Sequence, residues 1–232
     1  IQTAFAETNQ LHAVYTPGGA RHQKTFRSEE VVEAAICPDA SRKLVIFSQD
    51  SGGNEQFQLY ALNLETMKSS MVTDGHSNNT NVVWSNSGDR FAFHSTKRNG
   101  RDWDIYICDI KNGFAVSLIQ EVDGMYSVLD WSPDDRQLLV QHYLSSTVSR
   151  LYVFDIEAKT MKRIKAGTDA SLEEALWDQQ GRGIFYTTDE KSDTRTLCYY
   201  RIADGKDTVL TPGFKWDVRY LSISPDRQKI VF

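Results

Sequence analysis

A hydrolytic serine sits at a sharp strand-to-helix turn of the form Gly-x-Ser-x-Gly, where small flanking residues let the backbone fold tightly. The nearest stretch in this sequence is Gly75-His76-Ser77-Asn78-Asn79, with asparagine in place of the second glycine. It joins two strand-like runs rather than a strand and a helix, so Ser77 is read as non-catalytic. The five histidines, His12, His22, His76, His94 and His142, form no close His-x-His or His-x-x-x-His pair. They are read as structural or surface groups, and neither a metal nor a cofactor is expected. Asp102 and Asp104 flank Trp103, but neither spacing nor ligand number matches a calcium loop. Hydrogen bonding at a turn and at the start of a strand is their expected role. Lys97, Arg98 and Arg101 are expected as solvated loop cations rather than a phosphate site. Cys37, Cys108 and Cys198, odd in number and far apart, read as buried thiols rather than a disulfide framework.

The bulk chemistry narrows the class further. Among 232 residues, 31 acidic side chains outnumber 26 basic ones for a net charge of -5, which argues against nucleic acid or an anionic membrane as partner. No apolar run approaches the roughly 20 residues that span a bilayer, and no secretion leader opens the chain. The first residue is Ile1, not Met, so the chain reads as a piece of a longer protein. The compartment stays open, with the cytoplasm slightly ahead of the periplasm.

The elements that must position these residues emerge from an internal repeat. Segments around Ile36, Trp84, Trp131, Trp177 and Ile223 share a pattern and are spaced by 48, 47, 46 and 46 residues. A second family, LHAVYT, LYALNL, IYICDI, LYVFDI and LCYYRI, starts at Leu11, Leu59, Ile105, Leu151 and Leu197, at intervals of 48, 46, 46 and 46. Two anchors that recur in phase decide the fold before any local reading.

Each unit reads as four strands and no helix. The first ends in a bulky residue followed by a turn such as Ser132-Pro133-Asp134, in which proline presets φ and aspartate bonds the turning backbone. The second strand, at 43–48, 91–95, 138–143 and 184–188, is apolar at nearly consecutive positions, as for a strand covered on both faces. The third and fourth close through polar turns such as Lys111-Asn112-Gly113. Such a meander cannot cover both its faces alone, and radial stacking of copies, a β-propeller, buries them. A β-sandwich is the rival reading. The recurrent Trp84, Trp131 and Trp177 are expected in packing between blades rather than in a ligand cage.

The all-β array amounts to about five repeat lengths, four complete blades plus split end pieces, with units near 1–28, 29–76, 77–124, 125–170, 171–213 and 214–232. The chain starts and stops inside the same strand of the repeat. It is therefore either a five-bladed ring closed through a split strand or part of a larger ring, and the unpaired groups of a mid-strand start favour the larger ring. Early in the first, innermost strands lie Glu33, Asn81, Glu173, Glu174, Asp217 and Arg219. They are expected to face a central channel, either solvating it or steering charged peptide termini through it.

The Ser-Pro-Asp turns, the apolar strand after them and the D-I-Y-x-x-D pattern resemble the repeats of TolB-like, WD-type propellers. The stretches at 9–26, 48–66, 95–109, 126–140 and 185–197, above all Gly52-Gly53-Asn54 and Asn99-Gly100-Arg101-Asp102-Trp103-Asp104, further resemble the non-catalytic propeller of the prolyl oligopeptidase family of serine peptidases. That resemblance covers nearly the whole chain. It implies seven or eight blades in the complete protein and an α/β-hydrolase domain of the same polypeptide that carries Ser, Asp and His. It also implies peptide substrates admitted past the propeller, with no catalytic residue here. A TolB-like periplasmic propeller, or a free-standing five-bladed module, that binds protein partners is the competing expectation.

Overall fold

The computed structural model describes residues 1–4, 7–165, 167 and 170–232. Its only helical segment among them is a single 3-10 turn, Ala40–Arg42, inside the first complete unit's strand-to-strand turn. Everything else regular is β. A three-stranded sheet comprises β1 (Gln2–Ala4), β2 (Asn9–Val14) and β3 (Arg21–Gln23). Four four-stranded meanders follow in chain order. The first holds β4 (Glu33–Ile36), β5 (Leu44–Gln49), β6 (Gln58–Asn63) and β7 (Ser69–Met71), and the second β8 (Asn79–Trp84), β9 (Arg90–Ser95), β10 (Asp104–Asp109) and β11 (Ala115–Gln120). The third holds β12 (Met125–Trp131), β13 (Gln137–Ser145), β14 (Val148–Asp155) and β15 (Thr160–Ile164), and the fourth β16 (Leu172–Trp177), β17 (Gly183–Thr188), β18 (Thr196–Arg201) and β19 (Lys206–Val209). A two-stranded sheet of β20 (Ser222–Ile223) and β21 (Ile230–Val231) comes last. The strands pair antiparallel with their sequence neighbours, as the repeat predicts, and the sandwich reading is discarded.

The chain divides into two compact units, one of Ile1–Asp102 with Tyr106–Ser117, the other of Trp103–Ile105 with Leu118–Phe232. In the first, Ile46 and Leu59 of one meander pack with Phe91, Phe93 and Cys108 of the next, and Leu11 and Val31 lie against Val45 and Phe47. All six residues of β5 are buried, which is why that strand carries no polar alternation. In the second unit, Leu139 and Leu151 pack against Trp177, Ile184 and Tyr186. Each such side chain contributes about 1.5–3 kcal/mol by leaving water.

Trp131 and Trp177 are buried, and the Trp84 Nε1–H donates to the Ala35 carbonyl of the preceding sheet at 3.1 Å. Ile36, the same position of the first meander, is 69% exposed. The β20–β21 turn repeats the serine device of the sequence motif: the Arg227 N–H donates to the Ser224 carbonyl at 2.7 Å and the Lys229 N–H to Ser224 Oγ at 2.9 Å.

Candidate functional site in the first strands

A register shift interrupts the pairing of β8 with β9 between Thr80 and Val83, of β12 with β13 between Val128 and Asp130, and of β16 with β17 between Glu173 and Leu176. Such bulges re-aim side chains and leave amides without ladder partners. Asn81, Glu174 and Tyr220, three residues before their anchors, hold φ of 61°, 44° and 60°, a left-handed conformation that costs a non-glycine residue about 1–2 kcal/mol.

Carboxylates of the preceding sheet take up the amides freed there. Glu33 accepts from the N–H groups of Asn81 and Val82, both at 2.9 Å. Three repeats further on, Glu174 accepts from Tyr220 N–H at 2.9 Å and Leu221 N–H at 3.2 Å. Burial pushes the Glu33 carboxyl above its ordinary value, against the pull of the two amides. Thus Glu33, Asn81 and Glu174 belong to backbone clasps between consecutive sheets.

The remaining three expected residues come together around a fourth, Arg195, which the sequence reading did not single out. Its guanidinium donates to Glu173 Oε1 at 3.2 Å, its backbone N–H donates to Asp217 Oδ1 at 2.9 Å, and Arg219 donates to Asp217 Oδ2 at 2.9 Å. Ser171 Oγ also donates to Glu173, at 2.8 Å. The Arg195 amide and then the Arg219 guanidinium hold the Asp217 carboxyl below the usual carboxylate range. The result is a row of alternating charge, half-buried at Glu173 and Arg195 and exposed at Asp217 and Arg219, able to orient a charged chain end but not to break a bond. Arg195 stands in the loop before β18, where spacing alone gives no signal.

The second charged centre that sequence reasoning missed surrounds Lys165. Its ammonium lies 2.6 Å from Glu190 and 2.7 Å from Asp207, and it donates to Tyr186 Oη at 2.6 Å. Burial alone would lower the lysine's pKa, but the two carboxylates raise it; burial foremost raises that of Tyr186. Proton transfer from such a paired ammonium is disfavoured, so the cluster is a lock between β15 and the next sheet.

The other candidates resolve locally. Ser77 Oγ donates to Asp74 Oδ1 at 2.9 Å and lies near Asn79 and Ser95. Among the described residues no histidine is its partner. Asp102 is 3% exposed and accepts from Asn99 Nδ2 at 2.7 Å and from Arg101, while Arg98 lies 3.4 Å away. Asp104 accepts from Val122 N–H at 2.9 Å, tying β10 to the following connection. His12 and His94 are buried, His22 and His76 exposed, and His142 stacks on Tyr126 with ring centres 4.1 Å apart. Burial holds His94 neutral, with its pKa lowered to about 4. The three cysteines are buried and unpaired, and burial pushes Cys108 up to about 12.

Among the described residues no group of three or more His, Cys, Asp or Glu side chains is gathered for a metal ion, and no helix is long and apolar enough to cross a membrane. A groove of about 760 Å³ lies beside β2 and β4, lined largely by apolar groups such as Leu11, Ala13 and Ile36. The Cys37 thiol in its lining donates to the Gly88 carbonyl at 3.5 Å.

Comparison with known proteins agrees with this fold. The chain superposes on TolB from Acinetobacter baumannii with a TM-score of 0.70 at 18% identity, over 97% of this chain and 53% of that one. It superposes on oligogalacturonate lyase from Vibrio parahaemolyticus with a TM-score of 0.72 at 15% identity, over 97% of this chain and 64% of that one. These likenesses establish a TolB-like β-propeller fold, as the repeat arithmetic predicts. By sequence the chain is 22% identical over 140 residues to dipeptidyl-peptidase 5 of Porphyromonas gingivalis, a match covering 56% of this chain and 20% of that protein. The chain thus spans about half the length of the TolB structure and a fifth of the peptidase. The profile of the dipeptidyl peptidase IV (DPP IV) N-terminal region matches residues 69–232, well over half the chain, and the chain belongs to that family.

Proposed function

We propose that this propeller is the non-catalytic part of a serine peptidase, gating and scaffolding an α/β-hydrolase domain that lies outside residues 1–232 and admitting peptides rather than folded proteins. The observation that carries this reading is the family match over residues 69–232, together with the likeness to a dipeptidyl peptidase. The local chemistry is compatible with it: Ser77, in the stretch nearest to a Gly-x-Ser-x-Gly elbow, is engaged by Asp74 in a turn. Within this reading the row Glu173, Arg195, Asp217 and Arg219 steers charged peptide ends, while Glu33, Asn81 and Glu174 keep the blades in register.

The experiment is kinetic. In the full-length protein, Glu173→Gln with Arg219→Gln should change kcat/KM for peptides with charged ends several-fold, and leave end-blocked peptides within about twofold, as for a rim charge acting on encounter. Equal values for both substrate classes would remove the steering role. Residues 1–232 alone should neither hydrolyse chromogenic peptides nor react with a serine-directed probe.

A second reading, a TolB-like module that docks protein partners, is favoured by the superposition on TolB over 97% of the chain. The flanking coding sequence separates the two: a hydrolase domain with a Gly-x-Ser-x-Gly elbow supports the first, and a small α/β domain before the propeller the second.

A further inference from the structure

Two Asn-Gly pairs, Asn99-Gly100 and Asn112-Gly113, lie in exposed turns on either side of β10, and the proposed function uses neither. At such a pair the glycine nitrogen can attack the preceding side-chain amide, because glycine puts no side chain in the path. A bond forms from that nitrogen to Cγ, and ammonia leaves carrying the displaced proton. Water then opens the five-membered imide to aspartate or isoaspartate. Two freedoms are required: the amide must swing over its own backbone, and the glycine N–H must be free to lose its proton.

At Asn99 both are restrained. Its Oδ1 accepts from Arg101 N–H at 3.1 Å and Asp102 N–H at 2.9 Å, and its Nδ2 donates to Asp102 Oδ2 at 2.7 Å. The Gly100 N–H donates to the Thr96 carbonyl at 2.7 Å. Asp102, the anchor of this turn, is buried. At Asn112 the side chain makes one bond, from Nδ2 to Asp109 Oδ2 at 2.8 Å. Among the described residues the Gly113 N–H donates to no acceptor. Backbone conformation does not distinguish the pairs, since Gly100 and Gly113 have φ of 74° and 68° and both have open space where a Cβ would lie.

We propose that Asn112 is a site of spontaneous deamidation, and that the fold protects Asn99 from the same reaction. Conversion at 112 replaces a donor facing Asp109 with a second carboxylate. As isoaspartate it also lengthens the main chain by one methylene in the turn that aligns β11 on β10.

The test is a timed incubation of the folded protein at 37 °C in mildly alkaline buffer, with peptide mapping by mass spectrometry and fragmentation that separates aspartate from isoaspartate. Synthetic peptides of residues 96–103 and 109–116 give the unfolded rates. Asn112 should convert at a rate close to that of its peptide, and Asn99 at less than about a tenth of its peptide's rate, because several hydrogen bonds must break first. Equal protection at both sites, or Asn99 reacting first, would overturn the proposal. Gly113→Ala should slow conversion at 112 and leave 99 unchanged; conversion at 112 undiminished in this variant would count equally against it.

Discussion

The Arg227 guanidinium forms a two-pronged pair with the Asp130 carboxylate at 2.7 and 2.9 Å across 97 residues of sequence. Both side chains are 11% exposed. Arg227 further donates to the carbonyls of Trp177 and Trp131, and Asp130 accepts the N–H of Trp177 at 2.8 Å. One ion pair therefore joins three consecutive sheets, from β12 through β16 to β20. Planar guanidinium suits this geometry and an ammonium does not.

Truncating the cation should be costly, because Asp130 would remain buried without its partner. Arg227→Met is expected to lower unfolding stability by about 3–5 kcal/mol, and Arg227→Lys to recover only part of it. Urea titration of both variants measures this. A loss below about 1 kcal/mol would mean that the pair is dispensable.

Glu33 makes a sharper demand. Glutamine at this position presents one oxygen and one NH₂ to two N–H donors, so Glu33→Gln should cost about 1–3 kcal/mol although size and shape are kept. Amide exchange at Asn81 and Val82 should quicken in the variant, while amides of β18 keep wild-type protection. Unchanged exchange at both positions would show that the clasp is not formed in solution.

His94 gives the acid limit its sign. Its folded pKa lies below the unfolded value, so the stability it supports is complete above about 6.5 and drains as pH falls towards 4. The loss should reach about 2–3 kcal/mol. His94→Gln should flatten that part of the melting-temperature profile relative to wild type; a parallel slope in the variant would assign the acid sensitivity to other groups.

Lys165→Met should be among the most damaging single changes, on the order of 3–5 kcal/mol, because Glu190 and Asp207 would then face each other without a cation. Adding Asp207→Asn should restore part of the loss. Thermal melts of the single and double variants check the coupling, and strict additivity would argue that the groups act independently.

Apolar side chains left open at the ends of the array predict behaviour in solution. Tyr220 is 84% exposed and Trp216 76%, and among the described residues β1 pairs on one edge only. The isolated chain should self-associate at micromolar concentration. Sedimentation that returns a clean monomer would require these surfaces to be covered within the chain.

The architecture was legible because the sequence pattern is periodic: Ile36, Trp84, Trp131, Trp177 and Ile223 mark one strand five times, and the apolar run of β5 announces a strand covered on both faces. The positions of Glu33 and Glu174, each three residues before an anchor, were equally visible. Their engagement with amides was not, because it depends on the left-handed backbone at Asn81 and Tyr220, residue types that do not advertise it. Arg195, Lys165 and Arg227 escaped notice for a related reason. Each reaches partners 21 to 97 residues away, and a charge beside a strand end usually means solvent.

The contrast between Ile36, open to water, and Trp131 and Trp177, sealed beneath their neighbours, bears on how the molecule comes apart. Where a sheet is insulated mainly by the sheet beside it, heat should loosen the least covered sheets of each unit first, so calorimetry should record a broadened transition rather than one sharp peak.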